Sequence, residues 1–109
     1  MATVTVLMST YNGEKYLEEQ IDSIVKQEGV NVKIIVRDDG STDGTQKMLD
    51  QFQGKRILHW YTGHNLRSAK SFLDLVSCAP MSDYYAFCDQ DDVWNSDKLY
   101  RAISKLECL

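Results

Sequence analysis

Along this chain, four short apolar runs of strand type alternate with four apolar stripes of helical period. That alternation is the signature of an α/β protein with a parallel sheet. The runs are residues 3–8 (TVTVLM), 32–36 (VKIIV), 56–61 (RILHWY) and 84–88 (YYAFC). Between them, Leu17, Ile21, Ile24 and Val25 predict a helix over 14–27 with Asn12 as its N-cap, and Met48, Leu49 and Phe52 predict one over 43–53. Gly54 marks the turn into the third strand. Ala69, Phe72, Leu73 and Val76 form a third helical face, and Pro80 breaks the chain after it. Leu99, Ala102, Ile103 and Leu106 form the last face, with Ser96 as the expected N-cap. A chain of 109 residues suits one folding unit, residues 1–109, and no repeat, linker or low-complexity tract divides it.

Six of the sixteen acidic residues crowd into two clusters, Asp38, Asp39 and Asp43 after the second run, and Asp89, Asp91 and Asp92 after the fourth. Parallel strands deliver such clusters to one edge of the sheet, the edge where ligands bind at a reversal of strand order. Two carboxylates ~4 Å apart repel by roughly 4 kcal/mol at an effective dielectric of ~20, so a divalent cation is the expected companion. Mg²⁺ or Mn²⁺ suits an all-oxygen set, with Asp89 and Asp91 as its ligands. Asp92, nearest the following helix, has N-terminal capping as its rival role. Asp39 can accept a hydrogen bond from the N3–H of uracil or thymine, where cytosine offers an acceptor. Tyr11 either stacks on that base or closes the end of the core.

Other devices are absent or weaker. Neither a GxxxxGK[ST] loop nor a GxGxxG follows the first strand, so phosphates must be held by metal and side chains. Arg67 and Lys70, at the start of the third helix, are placed to meet a diphosphate. The spacing of Asp39, Ser41, Asp43 and Asp50 mimics a calcium loop, but a strand precedes it where an EF-hand needs a helix. His59 reads as structural and His64 as an edge-loop residue. The three cysteines, Cys78, Cys88 and Cys108, are spaced for neither zinc nor a redox pair, and Cys88 reads as packing. With a net charge of −4 and scattered Lys and Arg, nucleic-acid binding is not expected. No apolar run approaches the ~18 residues of a membrane span and the first residues do not read as a secretory signal, so the expected compartment is the cytoplasm.

Taken together, VTVLMSTYNGEKYLEEQIDSI, VKIIVRDDGSTDGT, HNLRSAKSF and AFCDQDDVWNSDKL resemble the amino-terminal half of bacterial family 2 glycosyltransferases. These are inverting enzymes of the Rossmann-like GT-A fold, and DQDDVW is most similar to the rhamnosyltransferase-like subgroup of polysaccharide assembly. The resemblance implies a UDP- or dTDP-sugar donor and a saccharide acceptor. It makes Thr10, Tyr11 and Asn12 the nucleoside side of the site and Asp39 the partner of the base, with Asp38 beside it. Asp89 then lies near ribose or metal and Asp91 becomes the principal Mg²⁺ or Mn²⁺ ligand of a DxD motif. The family often has proline where this chain has Ser96. Its catalytic base and acceptor region lie downstream of DxD, so the expectation is donor binding with little or no transfer by these residues alone. Loss of that region implies exposed apolar surface and self-association, and the full-length protein is compatible with peripheral attachment to the inner face of the membrane. A non-catalytic nucleotide-binding module is the alternative; a pyrophosphorylase is disfavoured because Ser9-Thr10-Tyr11-Asn12-Gly13 is no glycine-rich loop.

Overall fold

The computed structural model describes residues 1–64, 68–89 and 92–107. In chain order the elements are β1 (Ala2–Thr10), α1 (Leu17–Val25), β2 (Val30–Asp38), α2 (Thr45–Gly54), β3 (His59–Thr62), α3 (Ser68–Cys78), β4 (Tyr84–Cys88) and α4 (Lys98–Glu107). The strands form one parallel sheet in the order β3-β2-β1-β4. The chain therefore steps outward from β1 to β3 and then crosses back to place β4 on the other side of β1. That reversal is the switch point at which open α/β sheets bind ligands.

Strand alternation sorts the core onto the two faces. Val4, Val6 and Met8 of β1, with Ile34 and Val36 of β2 and Cys88 of β4, meet Leu17, Ile21 and Ile24 of α1, Leu49 of α2 and Leu99 and Ile103 of α4. Ile21 and Ile24 are wholly buried, each stabilising the fold by roughly 1.5–3 kcal/mol. On the opposite face α3 packs on β1 and β2, where Leu7 and Leu75 are also wholly buried. Tyr85, Phe87, Leu73 and Val76 on β4 and α3 remain exposed. Among the described residues no helix is long and apolar enough to cross a membrane.

Several expected boundaries move, each for a physical reason. Asn12 is not the cap of α1: it has φ 49, and its backbone and side chain reach the loop after β2 while α1 begins later, at Leu17. Gly54 is not the turn after α2 but its last residue. The chain leaves the helix at Arg56, φ 61, where the N–H of Arg56 and of Ile57 donate to Gln53 O and Phe52 O at 2.9 and 3.1 Å. This left-handed exit consumes 56–58, so β3 starts at His59. Ser96 does not cap α4 with its side chain among the described hydrogen bonds. Gln27 serves from a distance, accepting from the Leu99 N–H at 3.0 Å and donating to Asn95 O at 2.6 Å. The face of α3 is also displaced: Leu73 is 68% exposed, while Ser71 and Leu75 are buried. The side chains of Ala69 and Phe72 lie outside the described residues. Polar partners for Ser71 and Asp74 beneath the helix, rather than its apolar stripe, set the rotation.

Candidate nucleotide and metal site

The carboxyl ends of the four strands bring Ser9 to Tyr11, Asp38 to Ser41, Gly63 and Asp89 to one edge. Backbone bonds continue past the strands themselves: Asp39 N–H donates to Thr10 O at 2.9 Å and Gly63 N–H to Asp38 O at 3.0 Å. Register pairs Ser9 with Arg37 and Thr10 with Asp38, so alternation divides the expected residues between two faces.

Ser9, Arg37 and Asp39 share the face covered by α3. Asp39 is 6% exposed and ringed by donors. The Arg37 guanidinium pairs with its Oδ1, Ser9 Oγ donates to Oδ2 at 3.0 Å, and Ser71 Oγ approaches both oxygens, at 3.2 and 3.0 Å. Behind this ring Arg37 Nε donates to Asp74 Oδ2 at 3.0 Å, and Tyr61 OH donates to the same oxygen at 2.6 Å. The Tyr61 bond, then the Arg37 bond, hold the Asp74 carboxyl below its usual range; burial, then Asp74, push the Tyr61 phenol up. Gly63 is required here, because a Cβ would run into the Arg37 guanidinium.

Asp38 faces the other way and is wholly buried. Its Oδ2 accepts from the N–H groups of Gly40 and Ser41 at 3.2 and 2.8 Å and from Gln46 Nε2 at 2.8 Å, while Oδ1 accepts from Ser41 Oγ. This is an Asx-type turn that shapes the loop, and Gly40 supplies its φ of 89. Asp38 therefore supports the loop carrying Asp39 rather than facing outward from it. Thr10 is likewise turned away from Asp39: it is 2% exposed, with no partner for Oγ1 among the described residues, and the residue of β1 that meets Asp39 is Ser9. Asn12 Oδ1 accepts from Thr42 N–H at 2.8 Å and its own N–H donates to Ser41 Oγ at 2.8 Å, so it buttons the first loop to the second. Asp43 Oδ1 accepts from the N–H and the hydroxyl of Thr45, the first residue of α2, at 2.9 and 2.5 Å, and the hydroxyl bond holds that carboxyl low. Asp50 binds the Trp60 indole from within α2, which leaves no calcium loop. Tyr11 is 40% exposed at the rim, and Lys70 is exposed next to Ser71.

At the end of β4, Asp89 is exposed and its backbone is anchored. Buried Gln20 of α1 donates to Asp89 O at 2.5 Å, and Asp92 N–H closes a turn on the same oxygen at 3.2 Å. Arg67 and Asp91 lie outside the described residues, and no cluster of three metal-ligating side chains forms among those described. Exposed Asp89 and Asp92 offer only carboxylate oxygens, a donor set that fits Mg²⁺ or Mn²⁺. Cys88 beneath them is buried, its thiol pushed up to about 11 by burial, in keeping with packing.

Sequence reasoning missed Ser9, Gln20, Arg37, Ser71 and Asp74. Gln20 carried a signal, since it lies on the same helical face as Leu17, Ile21 and Ile24. Ser71 and Asp74 carried none, being 32 and 37 residues from their partners.

Fold and edge define a class: a parallel α/β domain whose switch point presents a buried, donor-ringed carboxylate beside exposed acidic residues. The chain belongs to glycosyl transferase family 2, whose family model matches residues 5–108, and its fold is GT-A. It is 38% identical over 108 residues to the dTDP-rhamnosyl transferase RfbG of Shigella flexneri, covering 94% of this chain and 36% of that protein. The structure of S. aureus TarS 1-349 in complex with UDP-GlcNAc superposes with a TM-score of 0.82 at 28% identity, over 96% of this chain and 31% of that one. The mannosyltransferase PcManGT of Pyrobaculum calidifontis, in complex with GDP-Man and Mn²⁺, gives 0.83 at 26% identity, over 94% and 32%. The chain thus spans about a third of the length of these relatives.

Proposed function

We propose that this chain holds the nucleotide-sugar donor of an inverting glycosyltransferase of bacterial polysaccharide or cell-surface glycan synthesis. The observation that carries the reading is Asp39, an acceptor buried at the switch point yet set at the carboxyl edge. Its acceptor chemistry matches the N3–H of uracil or thymine, so the donor is a UDP- or dTDP-sugar. The name of RfbG favours a dTDP-linked sugar, rhamnose in its case, and the UDP-GlcNAc bound by TarS favours the uridine class. Tyr11 lies against the base, Ser9 and Asp39 hold it, and Lys70 with Arg67 meets the diphosphate.

Asp89 and Asp91 would hold Mg²⁺ or Mn²⁺, as the Mn²⁺ in the PcManGT complex suggests. Bound there, such an ion offsets negative charge on the departing nucleoside diphosphate. No carboxylate described above is assigned as the catalytic base. The saccharide acceptor and that base belong to the part of the relatives' length that this chain does not cover, so these 109 residues bind donor and transfer little or none of it. The same reading puts the protein in the cytoplasm, at the inner face of the membrane.

Calorimetric titration with UDP and with dTDP, each with and without Mn²⁺, tests it. Metal-dependent binding that disappears in Asp91→Ala is the expected result. Rapid sugar transfer by the chain alone would contradict the division of labour. Failure of the folded chain to bind either nucleotide would favour a module that has kept the fold without its donor site.

A further inference from the structure

We infer that Arg37 and Ser71 are positioning residues for base discrimination: together they fix the plane of the Asp39 carboxylate and restrict it to accepting hydrogen bonds. The inference rests on the donor-site reading above. Arg37 has only N–H groups to offer, so the oxygen it touches must accept. Ser71 Oγ spans both carboxylate oxygens at 3.2 and 3.0 Å, and Ser9 Oγ holds Oδ2 at 3.0 Å. Three elements, β1, β2 and α3, thus aim one side chain. Arg37 cannot swing away, because Asp74 anchors its Nε at 3.0 Å, Tyr61 OH anchors Asp74 at 2.6 Å, and Gly63 leaves just the space the guanidinium fills.

The consequence is chemical. Three hydrogens, from Arg37, Ser9 and Ser71, meet the roughly four lone-pair positions of the carboxylate, which leaves it able to accept from one more donor. It fits a base edge that presents an N–H, such as uracil N3–H, and opposes one that presents a bare nitrogen, such as cytosine N3. A site built around a buried hydrogen-bonding partner rejects the mismatched ligand because both polar groups are left unpaired. Selectivity between pyrimidines therefore resides in the ring around Asp39 as much as in Asp39. Ser71 adds a second link, since Lys70 precedes it on the first turn of α3. The helix that clasps the base acceptor also carries the cation assigned to the diphosphate, so the two ends of the donor are set by one rigid element.

Removing Arg37 would leave buried Asp39 without its counter-charge and threatens the fold, so the test uses milder variants. UDP and CDP differ at the edge in question, and their affinities are measured calorimetrically with Mn²⁺ for the native chain, Ser71→Ala and Tyr61→Phe. The expected UDP:CDP affinity ratio falls about tenfold in Ser71→Ala, through weaker UDP binding, and by a smaller factor in Tyr61→Phe. A merely structural role for Ser71 would weaken both nucleotides equally and leave the ratio unchanged, which overturns the inference while the donor-site reading stands. A folded native chain that binds neither nucleotide overturns the donor-site reading and this inference with it.

Discussion

Asp38 offers a sharp separation of scaffold from contact. Replacing it with alanine removes the acceptor of four hydrogen bonds, from the N–H groups of Gly40 and Ser41, from Gln46 Nε2 and from Ser41 Oγ. Hydrogen bonds to a charged group contribute about 1.5–3 kcal/mol each, which sets an upper bound near the sum. The donors are only partly buried, and water reaches some of them once the carboxylate is gone, so the expected net loss is roughly 3–4 kcal/mol. Out of a total of ~5–15 kcal/mol, that is a large fraction, and it lowers Tm by roughly 12–25 °C. Asp38→Asn behaves differently. The amide oxygen still accepts from the Gly40 and Ser41 N–H groups, as in any Asx turn, while the Ser41 hydroxyl turns to accept from the new NH₂. Its cost should stay near ~1 kcal/mol. Urea denaturation followed by circular dichroism reads both, and a UDP titration of the asparagine variant should show near-native affinity. An alanine variant within 1 kcal/mol of native, or an asparagine variant as unstable as the alanine one, would refute the scaffold role.

Three further outcomes follow from single observations. Arg56→Gly relieves a left-handed exit from α2, φ 61, and should stabilise the chain by roughly 0.5–1 kcal/mol after the entropy glycine adds to the unfolded state, measurable as a higher urea midpoint. Gly63→Ala drives a methyl group into the Arg37 guanidinium, which cannot yield without releasing Asp39 or Asp74; a loss of roughly 2–4 kcal/mol in denaturation, with weakened UDP binding, is the expected result. Burial raises the Cys88 thiol from 9.0 to about 11, so its stabilising contribution is complete below pH 9.0 and declines as pH rises through 11. At pH 8 exposed Cys78 should therefore react with iodoacetamide well before buried Cys88 does, as mass spectrometry of the peptides would record.

What the sequence disclosed follows the range of the forces involved. Val4, Val6 and Met8 alternate in β1, and Leu17, Ile21 and Ile24 recur at helical spacing in α1, so local pattern alone located those elements and their buried faces. Helix ends were harder, because they are closed by partners distant in sequence: Gln27 caps α4 from 72 residues away, and Asn12 is drawn off α1 by Ser41 and Thr42. The face of α3 was misjudged for the same reason. Its apolar residues at 73 and 76 stay exposed, since Ser71 and Asp74 must turn inward to Asp39 and Arg37. The acidic clusters themselves were plain in the sequence, and the strand ends do bring Asp38, Asp39 and Asp89 to one edge. The division of Asp38 from Asp39, one shaping the loop and its neighbour set into a ring of donors, depends on strand alternation at a fixed register and emerges only once β1 and β2 are paired.

The central claim is that the switch-point edge receives a nucleoside diphosphate. Amide chemical shifts of the ¹⁵N-labelled chain, followed during titration with UDP and Mg²⁺, test it most directly. The account predicts that the largest changes fall at Ser9 to Asn12, Asp39 to Ser41, Gly63, Lys70 and Ser71, and Asp89 and Asp92, five segments gathered at the carboxyl edge of the sheet. Saturating changes confined to another surface, such as the outer face of α4 around Arg101 and Lys105, would contradict it.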